Sequence, residues 1–133
     1  SHSINVPNDR ELERITLIPG WEISVEIPSN TTINDIRAAD PLTAYLDIKS
    51  INTNLHVRTR NPQDIFQPLG MQMAKKLQDF YTDSKIPAMW RSKIPLLISD
   101  KGIMWIVGHR ISELGRVNDP DQSYLIKFKP SGK

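Results

Sequence analysis

Cysteine is absent from the 133-residue sequence. Disulfides and thiolate metal sites are therefore excluded, which fits a reducing compartment. No apolar run approaches the ~20 residues of a membrane helix, and no signal-peptide pattern opens the chain. The expected location is cytoplasmic. Glycines number only six, and none falls in a pattern that cradles phosphate. There is no Gly-x-x-x-x-Gly-Lys loop, no Gly-x-Gly-x-x-Gly and no Gly-x-Ser-x-Gly nucleophile elbow. His2, His56 and His109 are too dispersed for metal-ligand spacing. No catalytic residue, metal ligand or cofactor is assigned to this chain. Asp79 and Asp83, one helical turn apart, read as a solvated edge rather than an acid/base pair.

A low net charge conceals an asymmetry. The total is +2, yet residues 1–54 hold four basic side chains (Arg10, Arg14, Arg37, Lys49) against eight acidic ones. Residues 55–110 reverse the balance, with nine basic against four acidic: Asp64, Asp79, Asp83 and Asp100. A basic middle behind an acidic lead-in suggests an anionic partner for the middle; the alternative is an ordinary solvated basic face. The length fits one domain. We read residues 1–133 as a single domain, with 1–54 an acidic β-rich lead-in and 55–110 the motif-bearing basic core.

Hydrophobic periodicity is mostly that of strands. Trp21, Ile23, Val25 and Ile27 alternate with Glu22, Ser24 and Glu26, and residues 14–18 form the hairpin partner across Pro19-Gly20. One short helical turn is expected at 34–39, stopped before Asp40-Pro41. Further strands are predicted over 44–49, 55–60, 94–98, 103–107 and 124–128, with a hairpin turn at Ser99-Asp100-Lys101-Gly102. Met73, Leu77, Phe80 and Tyr81 fall at helical spacing, which predicts a helix over 74–83. It should stop before Pro87. Ser1-His2-Ser3 carries no predicted structure. The fold class is α+β and β-rich: a small, sandwich-like, mostly antiparallel arrangement with one main helix.

Two groups of cations have a geometry suited to phosphate. On a strand over 55–60, Arg58 and Arg60 share one face about 7 Å apart, and each guanidinium can grip a phosphate through two parallel hydrogen bonds. One of them, with Arg60 the candidate, can instead pair with Asp64 and pin the following loop. Lys75 and Lys76 fall at the start of the predicted helix, where cations oppose the helix dipole unless that end faces an anion. Plain solvation is the other reading. Trp90, beside Arg91, can stack on a base or ribose if exposed, whereas Trp105, flanked by Ile103, Ile106 and Val107, reads as core.

The ordered set Val57-Arg-Thr-Arg-Asn-Pro-Gln-Asp64, Phe66-Gln-Pro-Leu-Gly70, Lys75-Lys-Leu-Gln-Asp79, Lys85-Ile-Pro87, Arg91, Pro95-Leu96 and Val107-Gly108 resembles the C-terminal domain of bacterial tRNA(Ile)-lysidine synthetase. The resemblance implies a tRNA-contacting accessory domain of a ligase that joins lysine to the wobble cytidine of the isoleucine tRNA with a CAU anticodon. ATP and Mg would be used by the parent enzyme, whose nucleotide loop is missing here. It implies tRNA contacts at Arg58, Arg60, Lys75, Lys76, Lys85 and Arg91, and architectural roles for Asp64, Pro68, Leu69, Gly70, Pro87 and Pro95. The implied partners are that tRNA and the N-terminal catalytic domain of the same protein, with no membrane. Asn61 and Ile65 stand where the pattern has arginines, Gln63 where it has glycine and Met73 where glycine is common. Gln63 predicts a turn that either needs no positive φ or accepts strain there. Two other readings stay open: a protein–protein or homodimerisation module of the same fold, and a small enzyme with an unrecognised site.

Overall fold

A computed structural model describes residues 1–8, 10–51 and 54–131. Every strand pair among the described residues is antiparallel. The first sheet starts with the hairpin of β2 (Glu13–Ile18) and β3 (Trp21–Glu26). Pro19 opens its turn and Gly20 takes φ +84°, the positive-φ position that a Pro-Gly turn needs. The long closing strand β11 (Ser123–Pro130) lies against β3, and β4 (Thr43–Asp47) takes its other edge. Between them, α1 (Ile33–Arg37) is a single turn held by a capping box: Asp35 N–H donates to the Thr32 hydroxyl and Thr32 N–H to the Asp35 carboxylate.

The second sheet runs β1-β5-β8-β9-β10: β1 (His2–Ser3), β5 (His56–Arg58), β8 (Leu96–Ser99), β9 (Gly102–Ile106) and β10 (Arg110–Ile111). Its central strands read as unbroken apolar runs because both faces are covered. One face meets the four-stranded sheet around Ile23, Val25, Leu46, Leu97, Trp105, Ile126 and Phe128. Trp105 meets Phe128 edge to face at 5.3 Å, as the sequence led us to expect of a core tryptophan. The other face, with Leu96, Ile98 and Ile106, packs on Phe66, Leu77, Phe80 and Tyr81. These come from a two-stranded ribbon, β6 (Ile65–Phe66) and β7 (Lys75–Lys76), and from the helix α3 (Leu77–Asp83). A second short helix, α4 (Ala88–Arg91), follows. The result is a sandwich with a third, partly helical layer. No helix among the described residues is long and apolar enough to cross a membrane.

This architecture is the α+β, mostly antiparallel one expected, with local differences at element ends. The helix predicted over 74–83 begins at Leu77, because Lys75 and Lys76 pair with Phe66 and Ile65 instead. The strand predicted to run to Lys49 ends at Asp47. There the chain turns into α2 (Ile48–Ile51), which buries Ile51 and lets the Ser50 hydroxyl donate to the Leu114 carbonyl at 2.7 Å. Strand β5 stops at Arg58, two residues short of the predicted end. Ser1-His2-Ser3, given no structure above, supplies β1: Ile4 is buried and donates to the Leu55 carbonyl at 2.8 Å, which carries the preceding residues along the β5 edge.

The outer face of the four-stranded sheet is acidic. Glu13 lies opposite Glu26 in the register, a like-charge cross-strand pair. A hydrogen bond shared with Glu26 raises the Glu13 pKa above its usual value, and Lys127 approaches Glu26 at 3.5 Å.

The helical layer separates core from surface sharply. Leu77→Ala is expected to lower stability by about 2–5 kcal/mol, since it opens a cavity under α3. Met73, at the same predicted helical spacing, is 78% exposed, and Met73→Ala should stay within ~0.5 kcal/mol. Denaturant melts of the two variants check this; equal losses would contradict the placement.

Candidate nucleic-acid interface

Arg58 ends β5 and does not project freely. Its two terminal nitrogens each donate to one oxygen of Asp64 at 2.8 Å, and Nη1 also donates to the Thr59 carbonyl at 3.0 Å. Asp64 accepts the Asn61 N–H at 2.7 Å, and its carbonyl accepts the Leu77 N–H at 3.0 Å. The first free amide of α3 is thereby used inside the protein and is not available to an anion at the helix start. The arginine that pins the loop is Arg58, and the two-arginine stripe on one strand face does not form. Burial alone would raise the Asp64 pKa. The hydrogen bonds from Arg58 and Asn61 and the guanidinium charge outweigh it and hold the carboxyl below its ordinary 3.8. Asp64 also raises the pKa of Arg58. Gln63 is not among the positive-φ residues, so the unstrained alternative holds.

Two more of the six cations are engaged. Lys75 Nζ meets Asp83 at 2.6 Å and sits 6.0 Å from the centre of the Phe80 ring. Arg91 donates from Nε to the Ile86 carbonyl at 2.9 Å and lies over the Tyr81 ring at 5.8 Å. It thereby ties α4 to the end of α3. Arg60, Lys76 and Lys85 are exposed and make no ion pair with a described residue.

Lys85 has an unusual backbone. The Ile86 N–H donates to the Tyr81 carbonyl and the Lys85 N–H to the Thr82 carbonyl, both at 3.0 Å. This is the Schellman closure of a helix, which needs its first residue past the cap in the left-handed region. Glycine usually takes that place; here it is Lys85, at φ +58°.

Three shallow grooves connect across this side. One is bounded by Arg60, Asn61, Pro62, Leu77 and Gln78. The next shares Asn61 and adds Arg58, Thr59, Trp21, Lys93 and Pro95 among others. The third shares Trp21, Lys93 and Pro95 and is walled by Ile86, Pro87, Trp90 and Ile94, with Lys85 and His109 at its rim. Among the described residues, no aspartate or glutamate lines any of the three. Lys93 joins two of them, although the sequence reading did not single it out. Its three-residue spacing from Trp90 was the available signal, and its Nζ lies 5.4 Å from the Trp90 ring centre. Trp90 is exposed, as base stacking requires. Among the described residues no group of three His, Asp or Glu side chains could hold a metal.

A family model described as the TilS substrate C-terminal domain matches residues 55–127, more than half of the chain. The chain belongs to this family. A tRNA(Ile)-lysidine synthase of Dehalococcoides mccartyi is 43% identical over 118 residues, which cover 88% of this chain and 25% of that protein. One from Clostridium tetani is 36% identical over 130 residues, 97% of this chain and 28% of that protein. The chain thus spans about a quarter of the length of these relatives. Among solved structures, a TilS C-terminal domain crystal structure aligns with a TM-score of 0.74 at 24% identity, over 99% of this chain and 97% of that one. A fragment of the phenylalanyl-tRNA synthetase beta-subunit from Pyrococcus horikoshii shares the fold at a TM-score of 0.55 and 18% identity, over 82% of this chain and 38% of that one.

The Asp64 pair makes this TilS-family domain acid-sensitive. A carboxyl whose folded pKa is depressed contributes stability that is fully present above its unfolded value, about 3.9, and is lost as pH falls through the folded one. Thermal melts from pH 6 to 2.5 are expected to show wild type losing stability below about pH 4. Asp64→Asn should start lower at pH 6 and lose less across that window. Parallel curves would remove Asp64 from the account.

Proposed function

We propose that this chain is the tRNA-contacting part of a tRNA(Ile)-lysidine synthase and holds the RNA backbone along the three connected grooves. The supporting observation is their shared lining: Arg60, Lys93 and Lys85 follow one another from groove to groove with no acidic side chain among the described lining residues. Lys76, beside Leu77 at the first groove, adds a fourth exposed cation. Phosphates neutralised by such side chains release counterions, which makes binding tight at low salt and indifferent to sequence. Of the six cations first singled out, Arg60, Lys76 and Lys85 then contact phosphate directly. Arg58, Lys75 and Arg91 hold the loop and helices that present them. The rest of the parent enzyme would use ATP and Mg to join lysine to the wobble cytidine of the isoleucine tRNA with a CAU anticodon. The present chain would fix that tRNA relative to the catalytic domain in the cytoplasm.

Four phosphate contacts imply a log–log salt slope of roughly −3 to −4 for tRNA binding. Arg60→Ala or Lys76→Ala should reduce it by about one unit each and leave the melting temperature unchanged. Arg58→Ala should do the reverse, lowering the melting temperature by roughly 5 °C or more through loss of the charged pair. Titrations at three salt concentrations beside thermal melts check this. Binding by wild type that ignores salt would refute the phosphate path.

Lys85 supplies an independent test. A non-glycine residue in the left-handed region costs about 1 kcal/mol. Lys85→Gly is therefore expected to stabilise the protein while weakening tRNA binding severalfold. A variant that is more stable and binds equally well would leave the strained lysine without a role in binding.

A further inference from the structure

The third groove differs from the other two in chemistry. Its volume is about 600 Å³, within the range of small-molecule sites, and its walls are mostly apolar. Trp90, 53% exposed, presents its indole at the groove, with Pro87, Ile86 and Ile94 around it. A tryptophan so exposed has given up burial that Trp105 gains in the core. The Lys93 ammonium near its ring centre favours one placement of the indole and adds positive charge at the rim. Lys85 and Lys93 supply two cations to the groove, and its described lining includes no acidic residue. Desolvation lowers the pKa of His109, so at neutral pH it offers hydrogen bonds rather than charge. An apolar peptide would match the walls but leave both lysines without counter-charges. A duplex presents no open base face. An unpaired nucleotide satisfies each part, because it carries a flat π-surface, hydrogen-bonding edges and a phosphate.

We propose that this groove binds one unpaired nucleotide of the RNA, with its base stacked on Trp90 and its phosphate held by Lys85 and Lys93. The inference rests on the RNA-binding reading above but assigns a different contact: a single-stranded segment, of which every tRNA has one at its 3′ end. Lys85 then serves both the backbone path and this site. Lys85, at φ +58°, lines the groove directly after α3.

The test uses this chain and two probes. A single-stranded tetranucleotide matching the unpaired 3′ end of tRNA is expected to quench the tryptophan emission of wild type. Trp90→Phe should lose most of the quench and keep affinity to within about threefold, while Trp90→Ala should weaken binding about tenfold. In the second arm, Trp90→Ala should weaken binding of intact tRNA by about tenfold and binding of tRNA trimmed of its unpaired 3′ nucleotides not at all. An unchanged emission at millimolar tetranucleotide overturns the proposal, as does an equal effect of Trp90→Ala on both tRNA forms. Trimmed tRNA reports the phosphate path by its salt dependence, and the tetranucleotide reports the groove. Failure of one reading is therefore distinguishable from failure of the other.

Discussion

The bidentate pair between Arg58 and Asp64 fixes the geometry on which the rest of this surface depends. It joins the end of a strand in the five-stranded sheet to the loop that follows it. Through the Asp64 carbonyl the same loop holds the first amide of α3. One residue, Asp64, therefore ties together three parts: the sheet and the loop through its carboxylate and the helix through its carbonyl. A lysine in place of Arg58 could satisfy only one of the two oxygens and would leave the loop free to rotate. Arg60 and Asn61, which line the first groove, stand where they do because this loop is closed.

The helical layer is a second consequence of the same arrangement. The inner sheet is apolar on both faces, so its second face must be covered, and the ribbon and α3 are what cover it. Covering it with short elements leaves many ends, and ends are where cations and turns gather. Lys75 fastens to Asp83, and Arg91 closes α4 against α3. The charges that stay in solvent are held between charges that do not, which limits their freedom without neutralising them.

Strands were legible in the sequence because alternation and turn residues leave little choice: Trp21 to Ile27 and the Ser99–Gly102 hairpin could not be read otherwise. The continuous runs of β8 and β9 were legible as strands, but they do not say what lies on either face. Tertiary pairing decided what local pattern could not. Lys75 and Lys76 fit a helix by spacing and became a strand because Ile65 and Phe66 offer free backbone partners. His2 and Ser3 have no strand pattern, and only the burial of Ile4 places them. Of the candidate site, residue types were readable and partners were not. Arg58 and Arg60 look alike in sequence, yet one is locked in an ion pair and the other stands in solvent. Lys93 was overlooked because its three-residue spacing from Trp90 went unread, and its place in the grooves appears only once Trp90 and Pro95 share a wall with it.

The acidic outer face of the four-stranded sheet also bears on how an RNA would arrive. Glu13, Glu22, Glu26 and Asp47 lie on the strands facing away from α3, tempered by Lys127 and Lys129. A polyanion diffusing toward that side is slowed, and one diffusing toward the grooves is drawn in. If the grooves hold RNA as proposed, the sheet that builds the core would act as a rudder, turning encounters toward them.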